Sequence, residues 1–457
     1  MKTRIVHFNN IIGCLRFDGS YHNAEANVYD SVIKQHSTHL LSYYCSEVFT
    51  SGRNKRVYTE KEFGFPFLSN SDVMASNPFM SCKYSSKKYG YDENALLKKG
   101  MILTGRVGAI GQTAFVPAYL EKAKAMGSDN IIRIVVKSTF RNGFIYAYLA
   151  SKIGSLSFWK HATGGVQPFI TDTMVGQLPI PDFPNDFQIK VDDLIQKSAR
   201  LREEATSLLD EAKSLLSDFC EISFEKRKDG NFGHVSSSFL RNTLNLRFDA
   251  PVFINDGVTW MKNLRRETVV LGECNIKTWY PGMFKRSYVA NGLPYIKGSE
   301  LFLSNPFRRC EKLSRSRTPK LEQLWLKEGQ LLISCAGICG LVKLITKEYE
   351  ENEAIGSPDI IRLVSEDPLF TKEYLFVYLQ LPAVYDYMQS LKYGSVIERF
   401  DIGNIETIPI VKPSKALSEQ ITSIIRKYMD CSYRSFNAEE KAISMVEQEI
   451  EKWTKQQ

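Results

Sequence analysis

Leu15-Arg16-Phe17-Asp18 and Leu246-Arg247-Phe248-Asp249 are one tetrapeptide written twice, and the stretch between them repeats with it. Gly52, Lys55, Arg56 and Tyr58 return as Gly282, Lys285, Arg286 and Tyr288. Phe65-Pro66-Phe67-Leu68 corresponds to Leu293-Pro294-Tyr295-Ile296, and Gly100, Gly108 and Gly111 correspond to Gly329, Gly337 and Gly340. Ser128 and Ile131-Ile132-Arg133 return as Ser357 and Ile360-Ile361-Arg362; Gly164, Val166, Pro179 and Ile180 return as Gly394, Val396, Pro409 and Ile410. The offset stays between 228 and 231 and the order is kept. Chance matches are not collinear. In a chain of 457 residues the unit is about 229 residues, far longer than a solenoid repeat and large enough to be a domain.

Each copy has two parts. Residues 15–182 and 246–412 mix short β-branched and aromatic runs with Gly, Pro, Asn and Ser. Met101-Ile102-Leu103-Thr104 and Ile131 to Val136 read as strands, Phe144 to Ser151 and Tyr374 to Tyr387 as helices. The second part is a long helix. Val191, Ser198, Ala205, Ala212 and Phe219 recur every seven residues, and Leu194, Leu201, Leu208 and Leu215 follow on the same period three residues on, the pattern of a left-handed coiled coil. Asp186, after Pro181 and Pro184, is the expected cap. A weaker seam runs through Ile421, Tyr428, Ser435 and Ala442 with Ile424, Cys431, Ala438 and Met445; Glu449 and Lys452 interrupt it. Two such helices, with a globule between them in sequence, are most simply paired antiparallel. The expected fold class is α+β: two α/β domains separated by two long antiparallel coiled-coil helices, with an internal pseudo-two-fold repeat. The expected segments are 1–183, the helix 184–225, then 226–413 and the helix 414–457.

Composition excludes little but points one way. With 43% hydrophobic and 24% charged residues, 28 Gly and 17 Pro, collagen-like, low-complexity and wholly disordered chains are ruled out. The net charge of +8 tilts towards polyanionic partners. Nine cysteines without a paired pattern, an N-terminus without a signal-like apolar stretch, and no membrane-length apolar run lead to an expectation of reduced thiols and a cytoplasmic location.

Enzyme chemistry is hard to find. All six histidines precede Leu246, where the second copy begins, so no histidine chemistry can be common to both copies. His36 and His39 are spaced as metal ligands could be, but no Cys or carboxylate pattern completes a set; they read as a solvated pair. Gly105-Arg106-Val107-Gly108-Ala109-Ile110-Gly111 is neither a dinucleotide fingerprint nor a P-loop, and its twin is Ser334-Cys335-Ala336-Gly337-Ile338-Cys339-Gly340. A tight turn explains both. Asn77-Pro78-Phe79 and Asn305-Pro306-Phe307 only partly match the catalytic loop of amino-methyltransferases, and Glu211-Ala212-Lys213, a fragment of a nuclease signature, falls on the heptad seam. No catalytic residue and no metal site is expected.

What remains is basic and aromatic. Arg53, Lys55, Arg56 and Tyr58 precede one Phe-Pro strand, and Lys285, Arg286 and Tyr288 precede the other. Arg106 lies in the first glycine turn; Lys160 and Gln167 flank Gly164-Gly165, while Lys392, Tyr393 and Arg399 flank Gly394. Arg and Lys suit phosphate and guanine contacts and Gln suits adenine, so these thirteen are the candidate DNA-binding residues. Scaffold positions repeat while loop positions differ, as in two related modules reading different things.

These features together resemble the specificity subunit of type I restriction-modification enzymes. The resemblance rests on Leu-Arg-Phe-Asp at 15–18 and 246–249, the Gly-x-x-Gly turns at 108–111 and 337–340, and the runs 164–181 and 394–411 that each lead into a long helix. It covers nearly the whole chain. It implies two target-recognition domains, each binding one half of a bipartite, asymmetric sequence in double-stranded DNA. The helices, with Leu194, Leu201, Leu208, Leu215, Ile421, Ile424 and Tyr428 on them, would set the spacer and dock two methyltransferase subunits, to which restriction-translocase subunits add. No cofactor is implied on this chain; S-adenosylmethionine, ATP and Mg²⁺ belong to the partners. Residues 188–219 would span roughly 48 Å, or about 14 base pairs of DNA. A stand-alone DNA-binding or decoy protein, or the specificity component of a related defence methyltransferase, are the alternatives.

Overall fold

The computed structural model describes residues 5–455 apart from 9–10, 12–15, 23–24, 37, 54, 223, 225–235, 239–246, 248 and 395. Leu15, Leu246 and Phe248 of the repeated tetrapeptides lie outside the described residues. The chain forms two compact units, Met1–Glu203 with Arg434–Gln457, and Glu204–Tyr433. Each unit therefore takes one globule and part of each long helix.

The first unit is built on an antiparallel sheet in the order Cys45–Thr50, Ile131–Val136, Ile102–Gly105, Thr113–Phe115. Its central strands are apolar runs buried on both faces, because the helix Asn142–Ala150 covers one side. A smaller sheet orders Tyr58–Thr59, Lys83–Ser86, Gly64–Leu68 and Met126–Gly127, the last pairing parallel. The second unit repeats the larger sheet in the same order, as Ile276–Trp279, Ile360–Ser365, Leu331–Ser334 and Val342–Leu344. Its smaller sheet has three strands, Glu311–Leu313, Tyr288–Ile296 and Ile355–Gly356. The expected helix over 374–387 is two, Lys372–Tyr378 and Pro382–Leu391, because Pro382 cannot donate to the preceding turn and instead opens a new helix at its first position.

The Pro-Ile motif before each long helix is a strand. Pro179–Pro181 pairs with Thr38–Leu40, and Pro409–Val411 with Thr268–Val270. The central helix then runs Asn185–Cys220 and the second long helix Lys415–Lys455. The central helix opens just before the expected cap: Pro184 accepts the first amide bonds and Asp186 sits in the first turn, where its charge suits the helix dipole.

In the first unit, Val191 and Ile195 share a core with Ala442, Ile443, Val446 and Ile450. In the second, Leu209, Ala212, Leu216 and Cys220 share one with Leu417, Ile421, Ile424, Ile425 and Met429. Early residues of one helix meet late residues of the other, so the pair is antiparallel. Val191, Ser198, Ala205 and Ala212 are buried as the heptad requires, whereas Phe219 is only half-buried and Cys220 closes the row. The companion row differs from the expected one. Ile195, Leu209 and Leu216 are buried four residues after the first row, with Arg202 among them. Leu201 is buried, but Leu194, Leu208 and Leu215 are half-buried and pack on the flanks of the two cores. On the second helix Ile421, Ser435, Ala442, Ile424, Cys431 and Ala438 are buried, Tyr428 and Met445 half-buried.

Candidate nucleic-acid interface

The foundation of the site is a buried arginine. Arg133 and its repeat equivalent Arg362 sit on the central strands with no exposed surface. Arg133 donates to the carbonyls of Ser128, Ile131, Ala95 and Gly127, and Arg362 to those of Ser357, Ile360 and Gly356. Burial pulls both guanidinium pKa values down to about 10, still high enough for the charge to persist at neutral pH. A Cβ on Gly127 or Gly356 would meet the guanidinium at 3.0 or 2.8 Å, so glycine is what lets the turn close over it. The turns 127–131 and 356–360 are thereby fixed from beneath.

That turn presents an aspartate. Asp129 receives the Arg56 guanidinium at 2.6 Å and lies 3.8 Å from Arg53; Asp359 lies 3.9 Å from Arg286. Arg56 also lies over Phe67, and Arg286 over Tyr295, whose hydroxyl is 2.8 Å away. Both basic loops are therefore anchored to the turn by an equivalent ion pair.

The glycine turns join next. The Arg106 amide donates to the Asn130 carbonyl at 2.8 Å and the Ile170 amide to the Arg106 carbonyl at 2.9 Å. Val107 bridges Phe169. In the second unit the Cys335 thiol donates to the Asp359 carbonyl at 3.0 Å, the Phe400 amide to the Cys335 carbonyl at 3.1 Å, and Ala336 bridges Arg399. Gly108, Gly111, Gly337 and Gly340 all have positive φ, the conformation a side chain would resist. Tight turns, as expected, account for the glycines.

Arg-x-Asp of the repeated tetrapeptide clamps the third loop. The Arg16 Nε donates to Asp18 at 2.6 Å while its other nitrogens donate to the carbonyls of His161 and Ala162. Arg247 donates likewise to Asp249 and to the carbonyls of Ser390, Leu391 and Lys392. Those carbonyls end the helices Lys152–His161 and Pro382–Leu391, where a cation also answers the helix dipole. The loops 163–169 and 393–399 leave directly from the clamp. Thr163 and Phe169 exchange both amide bonds, as do Tyr393 and Arg399, so each loop is closed at its base.

Three loops thus meet in each unit. In the first they bring together Arg53, Lys55, Arg56, Arg106 and Gln167; in the second, Lys285, Arg286, Tyr393 and Arg399. Lys55, Gln167, Lys285 and Arg399 are exposed, and Arg53 is nearly free of cover. Tyr58 and Tyr288 are exposed at the strand edges, Tyr58 with the Lys83 ammonium 4.7 Å from its ring. Lys160 departs from the expectation. It is 7% exposed and ion-paired with Asp30, with Tyr21 beside it, because the segment 26–33 packs on its helix; its ammonium is engaged within the scaffold. Lys392 is half-buried and paired with Glu398 across its own loop. Arg133 and Arg362 were visible in the repeat, but nothing in the sequence marked them as buried.

The motifs that mimic enzymes have structural explanations. Asn77 and Asn305 each accept from the amide two residues on, at 3.1 Å, making Asx turns. His36 stacks on Trp453 and His39 on Tyr43, so neither ring is simply solvated. Among the described residues no His, Cys, Asp or Glu cluster could hold a metal, and no helix is long and apolar enough to cross a membrane.

Residues 277–443 match the family model described as Type I restriction modification DNA specificity domain. A search of the curated proteins finds no match. Among solved structures, the S subunit of a type I restriction-modification system from M. genitalium is similar at 12% identity and a TM-score of 0.32, over 92% of this chain and 95% of that one. The HsdS subunit from Thermoanaerobacter tengcongensis is similar at 14% identity and a TM-score of 0.27, over 90% of this chain and 95% of that one. The family match lies on the second copy, and the first is built on the same strands, clamps and turns. What the family model shows is therefore a likeness of the second copy, residues 277–443, to a type I restriction-modification DNA specificity domain.

Proposed function

We propose that each globule reads one half of a bipartite, asymmetric DNA target through the three loops gathered on the Arg133 and Arg362 turns. The observation carrying this is that identical supports hold different loops. Buried arginine, aspartate turn and Arg-x-Asp clamp occur in both units, yet Gly-Gly-Val-Gln-Pro-Phe stands where the other loop has Gly-Ser-Val-Ile-Glu-Arg. Phosphates would be met by Arg53, Lys55 and Lys285, and base edges by Gln167, Arg106 and Arg399. The antiparallel helices set the spacer and dock two methyltransferase subunits, to which restriction-translocase subunits add. S-adenosylmethionine, ATP and Mg²⁺ act on those partners, and this chain is a non-catalytic, cytoplasmic recognition subunit.

Sequencing the methylome of a host carrying the gene with its neighbouring modification gene tests the reading. The expected result is methylation within one asymmetric motif of two short halves. Matched whole-heptad insertions in both helices are expected to lengthen the unread spacer and keep the halves, because a seven-residue step restores the seam. Absence of any motif, or altered halves after such insertions, would refute it.

A further inference from the structure

Val166 and Val396 are the two most exposed large apolar side chains among the described residues, at 103% and 93%. They are also repeat equivalents, 230 residues apart. Single exposed hydrophobics are ordinary; the two extremes falling on the same position of two otherwise different loops is not. Ile397 adds a second exposed apolar group to the second loop, and Ile338 does so on the glycine turn to which that loop is bonded.

The loops are built to hold those tips outward. Each is closed at its base by a reciprocal pair of amide bonds, 2.9 and 2.7 Å in the first and 2.8 and 2.9 Å in the second. Gly164 and Gly394 turn the chain at φ +100 and +103, and a Cβ on either would strike the carbonyl of Gln167 or Ile397 at 2.8 or 2.6 Å. Neither valine packs into its own core, so folding does not require a branched apolar residue there. The surroundings carry charge of both signs: the Arg106 carbonyl accepts from Ile170 at the base of one loop, and exposed Arg399 stands in the other next to Glu398, which pairs with Lys392. Glycine, tight closure and an apolar tip with an arginine at the loop base suit a surface that is anionic outside and carries small apolar groups within. In duplex DNA that group is the C5-methyl of thymine in the major groove.

We propose that Val166 and Val396 each press on a thymine C5-methyl group within the half-site that their own unit reads, making them specificity-determining residues. The inference rests on the DNA-reading function above. The test uses the complete complex with its modification subunits and synthetic duplexes carrying the methylome-defined motif, in which thymines are replaced one at a time by uracil. The intact complex is expected to lose about fourfold in affinity at one thymine in each half, the worth of one buried methyl-sized group. Val166→Ser should abolish the uracil penalty in one half and leave the other, and Val396→Ser should do the reverse, so each variant carries its own folding control. A motif with a half lacking A·T pairs, or a uracil penalty that both variants leave unchanged, overturns the proposal while leaving DNA reading intact. Absence of any motif would instead remove the function on which it rests.

Discussion

Where the two long helices meet in the first unit, a polar cluster sits beside the apolar contact of Val191 and Ile195 with Ala442 and Val446. The hydroxyls of Ser198 and Ser435 lie 3.0 Å apart, and Glu439, itself buried, takes Arg202 at 2.6 Å and the Tyr146 hydroxyl at 2.7 Å. Burial alone would lower the Arg202 pKa; the Glu439 carboxylate outweighs that and leaves it raised. The same places in the second unit, 230 residues away in the repeat, hold Phe376, Tyr428, Ala205, Ser432 and Leu209. There Phe376 and Tyr428 lie 5.5 Å apart and Leu209 is in the core. One half of the helix contact tolerates small slips of apolar surface, while the other strands a charge if it slips. A buried ion pair adds little net stability over an apolar substitute, and its best-attested use is in fixing register.

The largest effect is therefore expected from separating the pair. Glu439→Ala should cost about 3–5 kcal/mol in urea unfolding, since it removes the buried carboxylate that both the largely covered Arg202 guanidinium and the Tyr146 hydroxyl bond. Giving the first unit the chemistry of the second, with Tyr146→Phe, Arg202→Ser and Glu439→Leu together, should return stability to within about 1 kcal/mol of the parent or above it. If the single change costs less than about 1 kcal/mol, Arg202 is reaching water and the polar contact does not lock the helices.

That same pair shows why the seam was only partly legible. The repeat and the helices could be read because apolar periodicity survives in sequence. The companion row was displaced by one residue because Arg202 interrupts Ile195, Leu209 and Leu216, whereas Leu194, Leu201, Leu208 and Leu215 form an unbroken but partly flanking row. Lys160 shows the other kind of failure: its partner Asp30 is 130 residues away, and local pattern carries no trace of such a contact. The loops could be picked out as repeat-equivalent basic segments. That a fully buried arginine supports each of them needed coordinates, because arginine in a strand ordinarily signals a surface.

Against the difference between the helix contacts stands the likeness of the clamps. Arg16 and Arg247 make equivalent bonds, so Arg16→Ala and Arg247→Ala should each cost about 1–2 kcal/mol, the worth of hydrogen bonds from a charged donor. Their effects on recognition should separate: each should loosen only the half-site read by its own unit. Methylomes showing both halves degraded by either change would mean that the clamps serve the whole chain and not their own loops.

The smallest and most specific contrast lies at the loop surface. Arg53 stands in solvent with only a 3.8 Å approach to Asp129, the setting of a phosphate contact; the Arg399 backbone is fixed by its bonds to Tyr393 and the bridge to Ala336, so its exposed side chain starts from a set position, as a base reader needs. Arg53→Ala should weaken binding to all duplexes alike and lower the slope of log affinity against log salt by about one. Arg399→Ala should leave that slope nearly unchanged and relax preference about tenfold at one base of one half-site. Binding titrations over a range of salt, on the cognate duplex and on single-base variants, separate the two. If both arginines move the slope and neither moves the preference, the second unit grips its loop face by charge, and its base reading must come from the apolar tip beside Arg399.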